Sequence, residues 1–182
     1  MRFEMGSPSA FTIWLTGLPA SGKTTLGLGI KTLLTQNGVP CVLLDGDAVR
    51  MSLSSDLGFS AKERLENIRR AANVAKLLNE QGFMVICSFV SPLQHMRDTA
   101  RAILGDKHFF EVFLDAPVEV CRLRDGKGNY QKAIDGLINQ FTGISDTYEP
   151  PVNPDLIIDT VNLSIKESLN LLYNNIRHWQ GF

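Results

Sequence analysis

Gly17-Leu18-Pro19-Ala20-Ser21-Gly22-Lys23-Thr24 fits the pattern G-x-x-x-x-G-K-T and decides the fold. It stands between the apolar run Phe11-Thr12-Ile13-Trp14-Leu15-Thr16, which reads as a buried strand, and the stretch Thr24 to Gln36, which reads as a helix closed by Asn37-Gly38. In that context Gly17 and Gly22 permit backbone angles and a close approach that a Cβ would hinder. Successive N–H groups then line a concave anion nest, and the following helix adds the positive end of its dipole. Lys23 is placed to reach β- and γ-phosphates, and the Thr24 hydroxyl to ligate Mg²⁺, with Thr25 as a second hydroxyl. The expected nucleotide-binding set is Gly17, Leu18, Pro19, Ala20, Ser21, Gly22, Lys23, Thr24 and Thr25.

Outward from this loop, short apolar runs alternate with amphipathic stretches. Cys41-Val42-Leu43-Leu44 reads as a second strand stopped by Asp45-Gly46-Asp47. Ser60-Ala61-Lys62-Glu63 is a capping box opening a helix with the apolar stripe Leu65, Ile68, Ala72, Ala75 and Leu78, ended by Gly82. Phe83 to Phe89 reads as a third strand, and Pro92 begins a helix running to about Leu104. Phe109 to Leu114 is a fourth strand, Pro117 to Leu123 a short helix, and Leu156-Ile157-Ile158 a fifth strand. Ser164-Ile165-Lys166-Glu167 opens a last helix with Ile165, Leu169, Leu172, Ile176 and Trp179 on one face. Residues 124–154 break the rhythm. They are rich in Gly, Asp, Asn and Pro, with a weak helical pattern around Gln131–Asn139, as expected of a lid or binding loop.

Continuous apolar strands alternating with helices predict a parallel sheet covered on both faces, with ligands beyond the carboxyl ends of the strands. Asp45 lies at such an end, where a carboxylate can hold Mg²⁺ water or take a proton from an acceptor hydroxyl; Asp47 serves the site or caps a helix. Arg50 can face the same cleft. Arg64 and Asn67, at i,i+3, share a helix face that by pattern alone reads as solvated, and Arg69 and Arg70 read as solvent-facing or paired.

The 182 residues suit one domain, residues 1–182, with the lid inside it. Lys+Arg total 18 and Asp+Glu 19, a balance that points to neither a nucleic-acid nor a membrane surface. Cys41, Cys87 and Cys121 are odd in number and widely spaced, which fits buried free thiols rather than zinc ligands. Met1 to Ala10 lacks an apolar leader core, so a cytoplasmic protein is the expectation.

An ordered series of stretches resembles the adenylylsulfate kinase (APS kinase) family, from Thr12 to about Asp159. It comprises Trp14-Leu15-Thr16-Gly17-Leu18 with the phosphate loop, Leu44-Asp45-Gly46-Asp47 with Arg50, Asp56-Leu57-Gly58-Phe59-Ser60, Arg64, and Glu66-Asn67-Ile68-Arg69-Arg70. Further on come Ser88-Phe89-Val90-Ser91-Pro92 with Arg97, Glu111-Val112-Phe113, Arg124-Asp125 with Lys127-Gly128, Phe141-Thr142-Gly143-Ile144, Tyr148-Glu149-Pro150-Pro151 and Asn153-Pro154.

The resemblance implies an α/β, P-loop kinase-like fold: a mainly parallel five-stranded sheet with helices on both faces and a mobile lid. It implies transfer of a phosphoryl group from ATP to adenosine 5′-phosphosulfate (APS), Mg²⁺ dependence and a homodimer. It places Phe59 and Phe141 on the two faces of the acceptor adenine, and Asp45, Asp47, Arg50, Arg64, Asn67 and Lys132 around the acceptor. Catalytic roles fall to Lys23, Asp45 and Ser91, and metal binding to Thr24 and Asp45. Ser91 matches a position described as a phosphoserine intermediate; it serves equally as a hydrogen-bond donor or as a cap for the helix begun at Pro92. The chain departs from the family pattern at Ala48, where Asn is common, and at Ile134 and Asn139, which stand at basic lid positions. The lid departures leave open a different 5′-substituted nucleotide as acceptor. A nucleotide sensor without turnover is a third reading, opposed by the intact Lys23, Thr24, Asp45 and Ser91.

Overall fold

The computed structural model describes residues 10–180, so the leader-free reading of the first residues falls, except for Ala10, outside the described residues. Five strands, β1 Thr12–Thr16, β2 Cys41–Asp45, β3 Met84–Ser88, β4 Phe109–Asp115 and β5 Leu156–Asp159, form one sheet in the order β2-β3-β1-β4-β5. Every pairing is parallel, so the expectation of a mainly parallel sheet is met in full. All carboxyl ends therefore open on one edge, and the chain leaves β1 there with β3 on one side and β4 on the other.

Period-two alternation sends successive side chains to opposite faces. Ile13 and Leu15 of β1, Ile86 of β3 and Val112 of β4 enter a core closed by α1 (Lys23–Gln36) and α7 (Ile165–Gln180), through Leu26, Ile30, Leu172 and Ile176. Trp14, Val85 and Cys87 point the other way, onto α3 (Ala61–Glu80) and α4 (Gln94–Leu104), meeting Ile68, Ala71, Ala75, Met96 and Ala100. Trp14 is fully buried and stacks on Phe89 with ring centroids 5.4 Å apart.

Local signals set the helix starts where they are strong. Ser60 and Glu63 form the reciprocal capping box of α3. Ser164 and Glu167 make the same exchange at α7. Elsewhere tertiary contacts intervene. The stop at Asp45-Gly46-Asp47 opens a short helix, α2 (Gly46–Met51), and Asp45, not Asp47, caps it by accepting from Asp47 N at 3.0 Å. The helix expected from Pro92 begins at Gln94, whose N–H donates to Glu149 Oε2 at 2.7 Å; Ser91 does not cap it. Ile165, expected on the buried stripe of α7, is 61% exposed and lines the cleft beside the start of α1. Cys41 is only half-buried, while Cys87 and Cys121 are buried, and all three thiols are free.

After α5 (Val118–Arg124) the expected lid holds one ordered turn of helix, α6 (Asn129–Ile134), earlier than the Gln131–Asn139 pattern suggested. The rest is turn and loop, closed by a bridge between Thr142 and Asp146. Gly143 (φ 93°) lies so close to the phosphate loop that a Cβ there would meet Leu18 Cδ2 at 3.1 Å.

Candidate active site

The phosphate loop is held by contacts its sequence pattern does not show. Gly17 (φ 150°) is pressed against β4, where a Cβ would sit 2.7 Å from the Leu114 carbonyl oxygen and 2.8 Å from Ser21 Oγ. Ala20 adopts φ 60°, a left-handed conformation uncommon for a residue with a side chain. Tyr130 of α6 donates from its hydroxyl to the Pro19 carbonyl at 3.0 Å, so the lid steadies the loop from above. Nothing in the sequence marked Tyr130 for this; only the fold sets it against residue 19.

Lys23 is folded back on the loop. Its ammonium donates to the carbonyls of Gly17 (2.9 Å) and Leu18 (2.7 Å). Burial pushes its pKa from the ordinary 10.5 down to about 8, only partly offset by Cys121, Asp45 and Asp47. The charge is thus desolvated and held by neutral dipoles, a state that an anionic ligand would relieve. Thr24 and Thr25 lie at the mouth of a cleft of about 580 Å³, walled by the start of α1, Arg124 and residues 160–165. Arg124 is anchored there by donating to the Thr160 carbonyl at 2.7 Å and to Thr160 Oγ1 at 3.1 Å.

Thr24 and Asp45, expected as a metal pair, are in contact: Thr24 Oγ1 donates to Asp45 Oδ2 at 2.8 Å. Asp45 Oδ1 is committed to the backbone of α2, leaving Oδ2 as the oxygen that faces the loop. Two hard oxygens at one point, beside a phosphate cradle, suit Mg²⁺, which takes few protein ligands and keeps waters and phosphate oxygens. Among the described residues no group of three or more His, Cys, Asp or Glu is placed to hold a metal.

On the far side of Asp45 the expected acceptor residues gather. Phe59 is 54% exposed, with the Arg50 guanidinium 4.4 Å and the Arg64 guanidinium 5.5 Å from its ring centroid. Arg50 donates to the Gly58 carbonyl at 2.7 Å. Arg64 donates to the Phe59 carbonyl at 2.8 Å, to the Gln140 carbonyl, and to Thr142 Oγ1 at 3.4 Å, and it pairs with Asp146 at 3.3 Å. It therefore staples the segment carrying Phe59 to the segment carrying Phe141. Burial holds both guanidiniums below the usual arginine range, and for Arg50 the neighbouring Arg64 adds to this. Two partly desolvated cations around one exposed ring form a site ready for an anionic aromatic ligand.

Arg64 and Asn67 are not the solvated face their spacing suggested. Asn67 is 4% exposed, and its Oδ1 has no hydrogen-bond partner among the described residues. A buried acceptor left open costs free energy unless a ligand donor fills it. Phe141 is half-buried and meets Tyr130 edge-on, with centroids 4.9 Å apart. Arg69 and Arg70 are paired, both with Glu66, and Arg70 also with Asp56.

The lid reaches back across the cleft. Lys127 pairs with Asp47, so the Asp47 carboxylate, in the first turn of α2, is engaged by the lid rather than by capping. Lys132 is exposed and donates to the Lys127 carbonyl at 3.2 Å. Ile134 and Asn139 are both exposed and point to no cation partner.

Ser91 sits apart from the open cleft. It is 2% exposed, with φ 38°, another left-handed non-glycine. Its Oγ accepts from Trp14 Nε1 at 3.1 Å and donates to Thr16 Oγ1 at 3.0 Å. Thr16 donates in turn to the Val90 carbonyl at 2.8 Å and lies 3.0 Å from the Tyr148 hydroxyl. The Ser91 hydroxyl is thus consumed by a buried chain of hydrogen bonds.

The sequence profile described as adenylylsulphate kinase matches residues 9–159. An adenylyl-sulfate kinase of Synechococcus sp. (strain JA-3-3Ab) is 47% identical over 166 residues, covering 91% of this chain and 93% of the relative. Among solved structures, the Mycobacterium tuberculosis APS kinase CysC in complex with AMPPNP and APS superposes with TM-score 0.90 at 41% identity, covering 93% of this chain and 99% of that one. A hexameric APS kinase from Thiobacillus denitrificans gives TM-score 0.72 at 30% identity, covering 94% of this chain and 29% of that one.

Proposed function

The chain belongs to the adenylylsulfate kinase family, and on that premise we propose that it transfers the γ-phosphoryl group of ATP to the 3′-hydroxyl of adenosine 5′-phosphosulfate, giving ADP and 3′-phosphoadenosine 5′-phosphosulfate. The observation that carries the reading is the Thr24–Asp45 contact, which joins the nucleotide-phosphate end of the site to its acceptor end.

Phosphoryl transfer of this kind needs alignment and charge stabilisation more than covalent chemistry. On this reading ATP fills the 580 Å³ cleft, and its phosphates draw Lys23 away from the Gly17 and Leu18 carbonyls. Thr24 and Asp45 would hold Mg²⁺, which would supply charge neutralisation at the phosphate oxygens. Asp45 orients the acceptor hydroxyl and takes its proton. Phe59 and Phe141 receive the acceptor adenine, Arg50 and Arg64 its phosphosulfate, and Asn67 Oδ1 a hydroxyl donor of its sugar. Ser91 acts by position: its buried hydrogen bonds support a direct transfer with no phosphoserine.

The reading takes residues 1–182 as one kinase domain with residues 124–154 as a mobile lid; the single sheet that receives all five strands supports it. No described helix is long and apolar enough to cross a membrane, and three free thiols fit a reducing cytoplasm. A homodimer is the assembly proposed, to be measured by light scattering.

The test is ADP release by the purified protein with ATP, Mg²⁺ and APS. APS-dependent turnover is expected, with kcat/KM for APS above that for other 5′-substituted nucleotides. No APS-dependent ADP, or preference for a pyrimidine nucleotide, would overturn the reading.

A further inference from the structure

Arg97 is one of the largest fully buried side chains among the described residues, and phosphoryl transfer leaves its buried charge without a task. Arg97 lies on α4, facing the sheet, and is 1% exposed. Its Nε stands 3.1 Å from Glu111 Oε1 of β4, an ion-pair contact without hydrogen-bond alignment, and Glu111 is itself 3% exposed. The rest of the guanidinium points to the carboxyl edge of the sheet. One nitrogen donates to the Ser91 carbonyl at 2.7 Å; the other donates to Gln94 Oε1 at 2.8 Å and to the Glu149 carbonyl at 2.7 Å.

Those partners are two separate pieces of the site. Ser91 belongs to the left-handed turn after β3, whose hydroxyl reaches Thr16, the residue before the phosphate loop. Glu149 belongs to the end of the lid. Around Arg97 the two pieces are bolted together further: Glu149 N donates to the Pro92 carbonyl at 2.8 Å, the Glu149 carboxylate takes the first N–H of α4, and the Tyr148 hydroxyl meets Thr16 Oγ1. The lid segment that leads back from this root carries Thr142 and Asp146, both bound by Arg64, and Phe141 just before them.

We propose that Arg97 is a positioning residue for the acceptor: paired to Glu111, it fixes the lid root at Glu149 to the Ser91 turn and so sets where Phe141 and Arg64 stand opposite Phe59. The inference rests on the proposed APS kinase activity. A guanidinium is required because three acceptors, on the Ser91 turn, on α4 itself and on the lid root, are met together; an ammonium keeps the charge for Glu111 but cannot reach them all. The other end of the lid is anchored independently, by Arg124 on Thr160 beside the nucleotide cleft. Loss of the Arg97 bolt should therefore disturb the acceptor and spare the nucleotide.

The experiment compares wild type, Arg97→Lys and Tyr148→Phe by steady-state kinetics in APS and in ATP, with limited proteolysis of residues 124–147. Arg97→Lys is expected to raise KM for APS about tenfold, equivalent to roughly 1.4 kcal/mol, while KM for ATP stays within about twofold and nicking of the lid accelerates. Tyr148→Phe removes one hydroxyl from the same root and is expected to give a smaller shift of the same kind, about threefold, and it decides the matter alone if the lysine variant does not fold. Equal changes in both KM values, or an unchanged KM for APS, would overturn the proposal. Wild-type protein inactive with APS would instead refute the activity on which it rests.

Discussion

Lys23 gives a prediction whose size follows from its surroundings. Its ammonium is buried against two carbonyls, with a pKa of about 8 instead of 10.5. Keeping it charged there costs roughly 3 kcal/mol relative to water, at about 1.4 kcal/mol for each tenfold change in the proton equilibrium. At pH 9 about nine in ten empty molecules carry a neutral Lys23. A bound polyphosphate favours the ammonium and lifts its pKa again. Nucleotide binding at pH 9 should then take up about 0.9 proton, and affinity should fall about tenfold per pH unit above pH 8. Titration calorimetry of ADP without metal, in two buffers of different ionisation enthalpy, reads the proton count directly. Lys23→Met should abolish the uptake. A wild-type uptake near zero at pH 9 would refute the reasoning. The same shift has a second sign to check. Between pH 8 and 10.5 the unfolded chain binds the proton and the folded one does not, so this lysine makes the empty protein more stable as pH rises through that window. A lysine stabilised by a salt bridge would do the reverse.

Three other expectations concern single side chains. Asp45→Asn keeps the cap on Asp47 N, so stability should hold within about 1 kcal/mol, while APS-dependent kcat falls about a hundredfold or more; retention of most turnover would remove Asp45 from proton transfer. Ser91→Ala leaves the buried Trp14 N–H without its acceptor and should lower unfolding free energy by about 1–3 kcal/mol, yet turnover should survive within about tenfold of wild type; complete loss in a folded variant would favour the phosphoserine route. Phe59→Ala, at a half-exposed ring, should shift stability by less than about 1 kcal/mol and raise KM for APS about tenfold at unchanged KM for ATP, from loss of the stacking face.

Much of the scaffold was written locally. The phosphate loop, the two capping boxes at Ser60 and Ser164, and the five apolar runs all became the elements they signalled, since each depends on neighbours within a few positions. Signals failed where a distant segment supplied the partner. Glu149 rather than Ser91 or Pro92 started α4. Arg64 and Asn67 had the spacing of a solvated face, but Arg64 pairs with Asp146 of the lid and Asn67 is buried. Residue identity alone cannot tell a wet polar face from one covered by residues some 80 positions away.

The opening stretch shows the division most plainly. Gly17 to Thr24 determined by itself that a strand turns into a helix around an anion nest, because backbone freedom at two glycines and the N–H groups of the first helical turn are properties of the local chain. The tertiary structure decided the rest. It brought Asp45 to Thr24, put Tyr130 on Pro19, buried Lys23 enough to depress its pKa, and enclosed the Ser91 hydroxyl. Each of these depends on desolvation or on contacts between distant segments, and both exist only once the sheet is assembled and the lid lies across it.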